Sequence, residues 1–257
     1  MADLDPLAAF RLDGRTAIVT GASSGLGARF VEVLHAAGAN VVGAARRLER
    51  VQDLVAGLNR AEAVACDVSS EDDLCRLVDT TLDRFGAVDI LVNNAGAKAV
   101  APAADETPEQ LRGVIDVNLI AACRLSQLAG RIMIDQGRGA IVNISSMLGV
   151  VASGQIPQVA YVASKTGLLG ATREFAVQWA RKGVRVNAIA PGWFPSEMTE
   201  DMTTNEDGGL RWIRSRDPMG RPGREDELDG ALLFLASDAS SYVTGQVLTV
   251  DGGWTIV

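Results

Sequence analysis

The chain has 257 residues, of which 47% are hydrophobic and 22% charged, enough for one large α/β domain or two small ones. The formal net charge of -8 argues against a nucleic-acid partner and against binding to an anionic membrane. The three cysteines form no C-x-x-C pair and His35 is the only histidine, so we expect no disulfide framework, no metal site and no His-based triad.

The N-terminal segment has no Lys or Arg before Arg11, which argues against a signal peptide. No apolar run looks long enough to span a bilayer. We therefore expect a cytoplasmic protein with no membrane segment.

A βαβ unit opens the chain. Thr16–Thr20 and Asn40–Ala45 are short apolar runs, typical of buried strands, and the segment between them has helical spacing of apolar residues up to Gly38. The first strand leads into Gly21-Ala-Ser-Ser-Gly25-Leu-Gly27. Glycines at this place allow a pyrophosphate to approach the backbone at the helix N-terminus, which favours nucleotide binding over a tight turn with no ligand.

Strands and helices continue to alternate along the chain. Further strands are predicted at Ala61–Cys66, Val88–Val92, Ala140–Ile144, Val184–Ala190 and Gln246–Val250. Further helices are predicted at Arg47–Leu58, around Leu74–Phe85, at Pro108–Gln136, around Tyr161–Trp179 and at Arg224–Ala236. This pattern predicts a single α/β domain over residues 1–257, a Rossmann-type doubly wound fold whose seven-stranded parallel sheet carries helices on both faces. Ligands of such sheets bind beyond the carboxyl ends of the strands.

Residues 193–220 interrupt this alternation with an irregular stretch, which we interpret as a lid over the substrate. Its large apolar side chains could line a substrate pocket, or could instead pack into the core or an oligomer interface. They are Trp193, Phe194, Met198, Met202 and Trp212.

Tyr161 and Lys165 are four residues apart in a helical segment and so share one helix face. A free phenol has a pKa of about 10, and a neighbouring ammonium group would lower it. The pair could therefore act as a general acid/base, although a Tyr with a solvated Lys beside it is a common coincidence.

Several motifs occur together in an order that resembles the classical short-chain dehydrogenases/reductases, over nearly the whole chain. They are Thr20-Gly-Ala-Ser-Ser-Gly-Leu-Gly27, Asn93-Asn-Ala-Gly96, Asn118, Ser145-Ser146, Tyr161-Val-Ala-Ser-Lys165, Pro191-Gly192 and the tail Tyr242 to Gly253.

The resemblance implies a catalytic role for four residues. Tyr161 would exchange a proton with the substrate oxygen, and Ser146 would hydrogen-bond that oxygen. Lys165 would lower the pKa of Tyr161 and bind the nicotinamide ribose, while Asn118 would hold a water that links Lys165 to solvent. Of the two adjacent serines, Ser146 is chosen over Ser145 because the second serine is catalytic in the family pattern. The interval from Ser146 to Tyr161 is slightly longer than usual, which implies a bulkier substrate loop at 148–159.

The resemblance also implies a cofactor site. Asp67 would contact the adenine unless it belongs to a helix N-cap region, the backbone after Pro191 would meet the nicotinamide, and Ser196 would bind its carboxamide. Lys98, by contrast, is interpreted as a solvated charge. The full set is Gly21, Ser23, Ser24, Gly25, Leu26, Gly27, Arg46, Arg47, Asp67, Val68, Asn94, Ala95, Gly96, Tyr161, Lys165, Pro191, Gly192, Phe194 and Ser196.

The second strand indicates which cofactor is used. An acid at its end would bind the ribose 2′-OH of NAD, whereas Arg accommodates the 2′-phosphate of NADP. This chain has Arg46 and Arg47 there, with no acid before Glu49. Arg46 is the better candidate by position. NADP(H) is therefore favoured, unless both Arg are solvated charges at the start of the next helix. NADP-preferring relatives often have a basic residue in the glycine loop where this chain has Ser24, so NAD(H) stays possible.

The predicted function is hydride transfer between NADP(H) and a carbonyl or secondary alcohol. The alternatives are an NAD(H)-dependent alcohol or polyol dehydrogenase and a non-catalytic nucleotide-binding scaffold. The substrate could be a ketoacyl thioester, a sugar or polyol, or a steroid. Apolar surface at Pro108–Gln136 and on the helix with Leu168 and Trp179, together with the resemblance, predicts a homo-oligomer, most simply a tetramer with D2 symmetry. The alternative is a monomer in which this surface packs internally.

Overall fold

The structure is a computed structural model that describes residues 5–152, 154 and 156–257. Residues 1–4 of the predicted domain, and residues 153 and 155 of the predicted substrate loop, therefore lie outside the described residues. The strands are β1 Thr16–Thr20, β2 Asn40–Ala45, β3 Ala61–Ala65, β4 Ile90–Asn93, β5 Gly139–Ile144, β6 Val184–Pro191 and β7 Val247–Val250. The α-helices are α1 Gly25–Ala36, α2 Leu48–Val55, α3 Glu71–Phe85, α4 Pro108–Ile115, α5 Ala121–Gln136, α6 Val159–Trp179, α7 Glu200–Thr204, α8 Gly209–Arg216 and α9 Asp229–Ala236.

The seven strands form one sheet in the order β3-β2-β1-β4-β5-β6-β7, and every neighbouring pair is parallel. One face is covered by α1 and α9, whose Phe30, Leu34 and Leu232 are fully buried. The other face is covered by α3, α5 and α6, through residues such as Leu77 and Leu125. The predicted doubly wound parallel fold is thus confirmed, and its strand order reverses between β1 and β4, where such folds bind ligands.

The sequence expectation that no apolar run could span a membrane is wrong for one helix. Pro108–Gln136 is continuously helical, and it meets the length and hydropathy criteria for a membrane span. Its α5 part packs against the sheet, however, with Leu125, Ala129 and Met133 in the core of that face. This packing is that of a core helix in a layered domain.

The interruption after β6 is not irregular, contrary to the sequence expectation. It contains two short helices, α7 and α8, which pack against each other. Within these two helices only Leu210 and Ile213, both of α8, are buried. A helix of five or eight residues with so few core positions has little apolar periodicity, which is why the sequence pattern gave no signal for it.

Candidate active site

The glycine loop joins β1 to α1 with a geometry that only glycine permits. Gly21 and Gly25 have φ angles of +68° and +53°. A Cβ on Gly27 would lie 2.2 Å from the Gly21 carbonyl oxygen, so any side chain there would push the helix off the loop. Ser24 is the N-cap of α1 but makes no side-chain cap hydrogen bond, which leaves the first amides of the helix available to an anion. The loop therefore fits the pyrophosphate of a dinucleotide.

The loop rests on the segment that follows β4. The Asn94 side-chain amide donates to the Thr20 carbonyl at 2.9 Å, and the backbone amides of Asn94 and Ala95 both donate to the Thr20 hydroxyl. The predicted cofactor residue Asn94 thus uses its side chain to hold β1 and β4 together beneath the loop. Leu26, another predicted contact, is partly buried against the core.

Arg47, rather than Arg46, lies on the glycine loop. Its guanidinium donates to the Ser23 hydroxyl at 3.0 Å and to the Ser24 hydroxyl at 2.9 Å. A positive charge therefore stands over Ser24, the position at which the sequence lacks a basic residue. Arg46 is exposed and lies on the side of Asp67.

Asp67 follows β3 and accepts two hydrogen bonds from Ser69, at its backbone amide and at its hydroxyl. These bonds, together with the charge of Arg46, hold the pKa of Asp67 below its usual range, so the carboxylate is ionised at neutral pH. The N-cap of the following helix is Ser70, and not Asp67. Val68 packs against the core on the sheet face that α3, α5 and α6 cover.

The two adjacent serines after β5 have different partners. The Ser145 hydroxyl donates to the Lys165 carbonyl at 3.0 Å, which ties β5 to α6. The Ser146 hydroxyl instead accepts a hydrogen bond from the Leu148 amide at 3.1 Å, and it lies close enough to the Tyr161 phenol to lower the phenol pKa. The geometry is consistent with the choice of Ser146, because this serine influences the phenol whereas Ser145 bonds to the Lys165 carbonyl.

Lys165 does not hold the phenol pKa down in this structure, contrary to the sequence expectation. Burial raises the pKa of Tyr161, and the nearby Ser146 hydroxyl offsets this only in part. The ammonium nitrogen of Lys165 lies 5.7 Å from the Tyr161 ring centre and donates to the Ile144 carbonyl at 2.8 Å. Burial lowers the pKa of Lys165 to about 8, so this ammonium can lose its proton near neutral pH.

Asn118 lies within a π-helical turn, Asp116–Ile120, between α4 and α5. Such turns are often found at functional sites. Its side chain accepts from the Ala97 amide at 2.7 Å and donates to the Ala97 carbonyl and to the Ser164 hydroxyl. A Cβ on Gly96 would lie 3.5 Å from the Asn118 oxygen and 3.8 Å from the Lys165 nitrogen. The small residue Gly96 therefore keeps the space between the two side chains open.

The remaining predicted cofactor residues lie at or just after the end of β6, and their surroundings differ. Pro191 is the last residue of β6, and a Cβ on Gly192 would lie 2.7 Å from the Cα of Asp251. Ser196 lies next to the glycine loop, since its Cβ is 3.2 Å from the place that a Cβ on Gly25 would take. Phe194 is 5% exposed and packs in the core on the α1 side of the sheet, where its ring lies 2.4 Å from the place of a Cβ on Gly223.

Three tryptophans pack against one another close to Tyr161. The ring centres of Trp193, Trp212 and Trp254 are 5.0–6.0 Å apart, and we refer to these residues as the aromatic cluster. Tyr161 and Met202 contact the same group of buried apolar side chains. The surroundings of Tyr161 on this side are therefore apolar and aromatic, and Trp193, Met202 and Trp212 of the predicted pocket residues belong to them.

Sequence reasoning missed the contacts by which two residues link distant segments of the site. Glu197 accepts hydrogen bonds from Arg47, Arg50 and Ser24, although it is 150 positions from Arg47. Lys98 donates to the Met198 carbonyl, so it is not simply a solvated charge. Only the rule that the carboxyl ends of parallel strands share one edge could have placed the segments that follow β2, β4 and β6 together.

Comparison with known proteins agrees with this arrangement. A family profile described as enoyl-(acyl carrier protein) reductase matches residues 21–255. The chain is 40% identical over 255 residues to the 2-dehydro-3-deoxy-D-gluconate 5-dehydrogenase of Bacillus subtilis, and the match covers 96% of each chain.

Two solved structures have the same fold. A short-chain type dehydrogenase/reductase from Mycobacterium marinum superposes with a TM-score of 0.93 at 34% identity, over 98% of this chain and 100% of the other. A gluconate 5-dehydrogenase from Burkholderia cenocepacia J2315, in complex with NADP and tartrate, does so with a TM-score of 0.93 at 36% identity and the same coverage. This chain therefore belongs to the classical short-chain dehydrogenase/reductase family and is an NAD(P)-dependent oxidoreductase that acts on CH–OH groups.

Proposed function

We propose that the protein is an NADP(H)-dependent oxidoreductase that interconverts a carbonyl and a secondary alcohol, with Tyr161 as its general acid/base. The observation that carries this proposal is the placement of the Ser146 hydroxyl beside the Tyr161 phenol, one helical turn from the buried Lys165. These groups lie at the carboxyl end of β5, two strands from the glycine loop of β1.

The chemistry follows from where these protons can go. A carbonyl oxygen placed between the Ser146 hydroxyl and the Tyr161 phenol would accept a hydrogen bond from each. During reduction Tyr161 gives its proton to that oxygen, and during oxidation it takes the proton back. The nicotinamide cofactor, when bound, supplies or accepts the hydride. A Lys165 ammonium that turns from the Ile144 carbonyl toward the phenolate would stabilise its charge, and a water at Asn118 would return the proton to Lys165 from solvent.

The preference for NADP(H) rests on the charge above the glycine loop. Arg47 presents its guanidinium together with the hydroxyls of Ser23 and Ser24, a set of donors that suits a 2′-phosphate. Arg46 lies one residue away and adds a second positive charge. The Burkholderia gluconate 5-dehydrogenase is described with NADP, which supports the same choice. NAD(H) is the alternative cofactor.

The substrate class that the relatives support is a sugar acid or polyol. Both the Bacillus and the Burkholderia relatives are named for the oxidation of a gluconate-type hydroxyl. Ketoacyl thioesters and steroids are the other classes to be tried, because the aromatic cluster gives the site an apolar wall.

The test compares Tyr161→Phe with Tyr242→Phe. The chain has two tyrosines, and Tyr242 is fully exposed, so it provides a matched control. Loss of the phenol proton should lower kcat by about 10²–10⁴-fold and leave the Kd for NADPH within about twofold, because the ring still fills its place. Tyr242→Phe should behave as the wild type.

A panel of sugar acids, polyols, ketoacyl thioesters and steroids, each with NADPH or NADH and their oxidised forms, completes the test. Near-normal turnover in Tyr161→Phe would contradict the mechanism. Tight cofactor binding with no turnover on the whole panel would instead favour the non-catalytic scaffold. A higher kcat/KM with NADH than with NADPH would overturn the cofactor preference alone.

A further inference from the structure

Glu197 is an acidic residue that lies beside Arg47 and Arg50, the arginines that follow β2. Its two carboxylate oxygens accept from Arg47 at 2.8 and 3.1 Å, from Arg50 at 2.6 Å and from the Ser24 hydroxyl at 3.1 Å. These bonds from Arg47, Arg50 and Ser24 hold the pKa of Glu197 at about 2, so it is an anion at every physiological pH. The donor set is the one that a phosphate monoester at the same place would need.

The segment that carries Glu197 is held independently of this carboxylate. Lys98, in the segment that follows β4, donates to the carbonyl of Met198, the residue after Glu197. The Thr199 hydroxyl bonds to the Phe194 carbonyl and to the Ser196 hydroxyl, which closes the turn around Glu197. Removing the charge of Glu197 therefore leaves the turn in place, so the effect of the charge can be measured separately from the position of the segment.

We propose that Glu197 is a cofactor-specificity residue that competes with the 2′-phosphate of NADP(H) for Arg47, Arg50 and Ser24. This inference rests on the proposed function, because it takes the end of β2 as the 2′-phosphate site. A 2′-phosphate brings up to two negative charges next to the carboxylate and must take over some of its donors. NAD(H) has a neutral hydroxyl at that place and meets no such repulsion. Glu197 thus lowers the preference for NADP(H) over NAD(H) that Arg47 and Arg50 alone would give.

The experiment measures binding of two small probes, 2′,5′-ADP and 5′-ADP, to the intact protein by calorimetry. These molecules differ in the phosphate at the 2′ position and need no catalysis. In Glu197→Gln, the affinity for 2′,5′-ADP should rise about three- to tenfold, the size expected from one or two exposed ion pairs. The affinity for 5′-ADP should change less than about twofold. The KM for NADPH should fall with the Kd for 2′,5′-ADP, while kcat and the KM for NADH stay constant.

The matched control is Glu206→Gln. Glu206 lies in the same segment and makes the same kind of exposed ion pair, with Arg214 at 2.6 Å, on residues outside the glycine loop and the end of β2. This variant should leave both probes unaffected. Raising the salt concentration should reduce the gain in Glu197→Gln, because the competing interactions are screened.

The outcomes separate this inference from the proposed function. An equal change for both probes would mean that Glu197 acts on the segment as a whole, and weaker binding of 2′,5′-ADP would mean that it orients the arginines for the phosphate; either result overturns the inference. A wild-type protein that prefers NADH overturns the proposed cofactor, yet a selective gain for 2′,5′-ADP in Glu197→Gln would still establish the competition.

Discussion

Lys165 is buried at a place where desolvation disfavours its positive charge. The residue is 4% exposed, and within the described part of the chain its ammonium has one hydrogen-bond acceptor, the Ile144 carbonyl, and no carboxylate partner. Desolvation lowers its pKa from 10.5 to about 8. A difference of this size corresponds to roughly 3 kcal/mol of unfolding free energy that the fold loses when the group is protonated. A proton-transfer site needs a pKa near the working pH, so under the proposed function this loss of stability would serve catalysis.

The sign of the pH dependence follows from these two pKa values. Between pH 8 and 10.5 the unfolded chain still binds the Lys165 proton, whereas the folded protein has released it. The unfolded state then holds more protons, so the free energy of unfolding rises with pH across this window. Below pH 8 both states are protonated, and the destabilisation is fully present.

We therefore expect Lys165→Met to be more stable than the wild type at pH 7 while losing nearly all activity. Met fills the same space with no charge to desolvate, and the loss of the bond to Ile144 offsets part of the gain, so the difference should be about 2 kcal/mol. The advantage should shrink as pH rises from 8 toward 10. Urea unfolding across this pH range measures it.

The control for this prediction is Lys182→Met, in which an exposed Lys outside the site loses its charge. Its unfolding free energy should stay within about 0.5 kcal/mol of the wild type at each pH. A Lys165→Met variant that is less stable than the wild type at pH 7 would show that the ammonium is stabilised by its surroundings.

At the scale of elements, the sequence predicted what depends on periodicity and motif. The strands β1 and β2, the glycine loop between them and the placement of Ser146 opposite Tyr161 all follow from local pattern or motif order. Asn93 shows where pattern reasoning stops. Its amide donates to Asn143 at 2.8 Å and to Ser126 at 2.9 Å, and Asn143 in turn donates to Thr172. This buried network joins β4, β5, α5 and α6, and only the strand order brings its members together.

Contacts between distant segments are the common cause of the other misses. Arg47 and Arg46 are adjacent in sequence, and which one turns toward the glycine loop depends on Ser23, Ser24 and Glu197. The pKa of Tyr161 was expected to fall because Lys165 is one turn away. The ammonium instead bonds to β5, a partner that helical spacing alone does not reveal.

The lid prediction concerns residues 193–220. Helices α7 and α8 are short and mostly exposed, and much of their attachment to the domain runs through the aromatic cluster and the contacts of Glu197 and Lys98. We expect the amides of α7 and α8 to exchange with solvent faster than those of the central strands, because few buried contacts must break to open them. Addition of NADPH should slow their exchange, since a bound cofactor would lie beneath this segment.

Hydrogen exchange followed by mass spectrometry gives both readings in one experiment, with peptides from β1 and β5 as the internal reference. Unchanged exchange of α7 and α8 on addition of saturating NADPH would contradict a closing role. Protection equal to that of β5 without cofactor would mean that the segment is a fixed part of the core.

At the scale of the whole molecule, only part of the apolar surface predicted for assembly is exposed. Leu168 and Trp179, which suggested an interface from the sequence, are buried within the chain. Other large apolar residues of the same region remain exposed: Ile120 by 54% and Val177 by 78%, both on helices of one sheet face. Exposed large apolar residues also flank the edge strand β7 in sequence: Tyr242, Ile256 and Val257.

Two separate sets of exposed apolar residues suit a tetramer with D2 symmetry, because that symmetry uses two different two-fold interfaces. We expect light scattering to give four times the 27.0 kDa mass of one chain. Val177→Glu should break one interface and Tyr242→Asp the other, so each variant alone should give dimers and the double variant monomers. Val100→Arg, at an exposed loop residue outside both sets, should stay tetrameric. A wild-type protein that is monomeric at micromolar concentration would show that these side chains are simply solvated, and dimers that persist in the double variant would place the interface elsewhere.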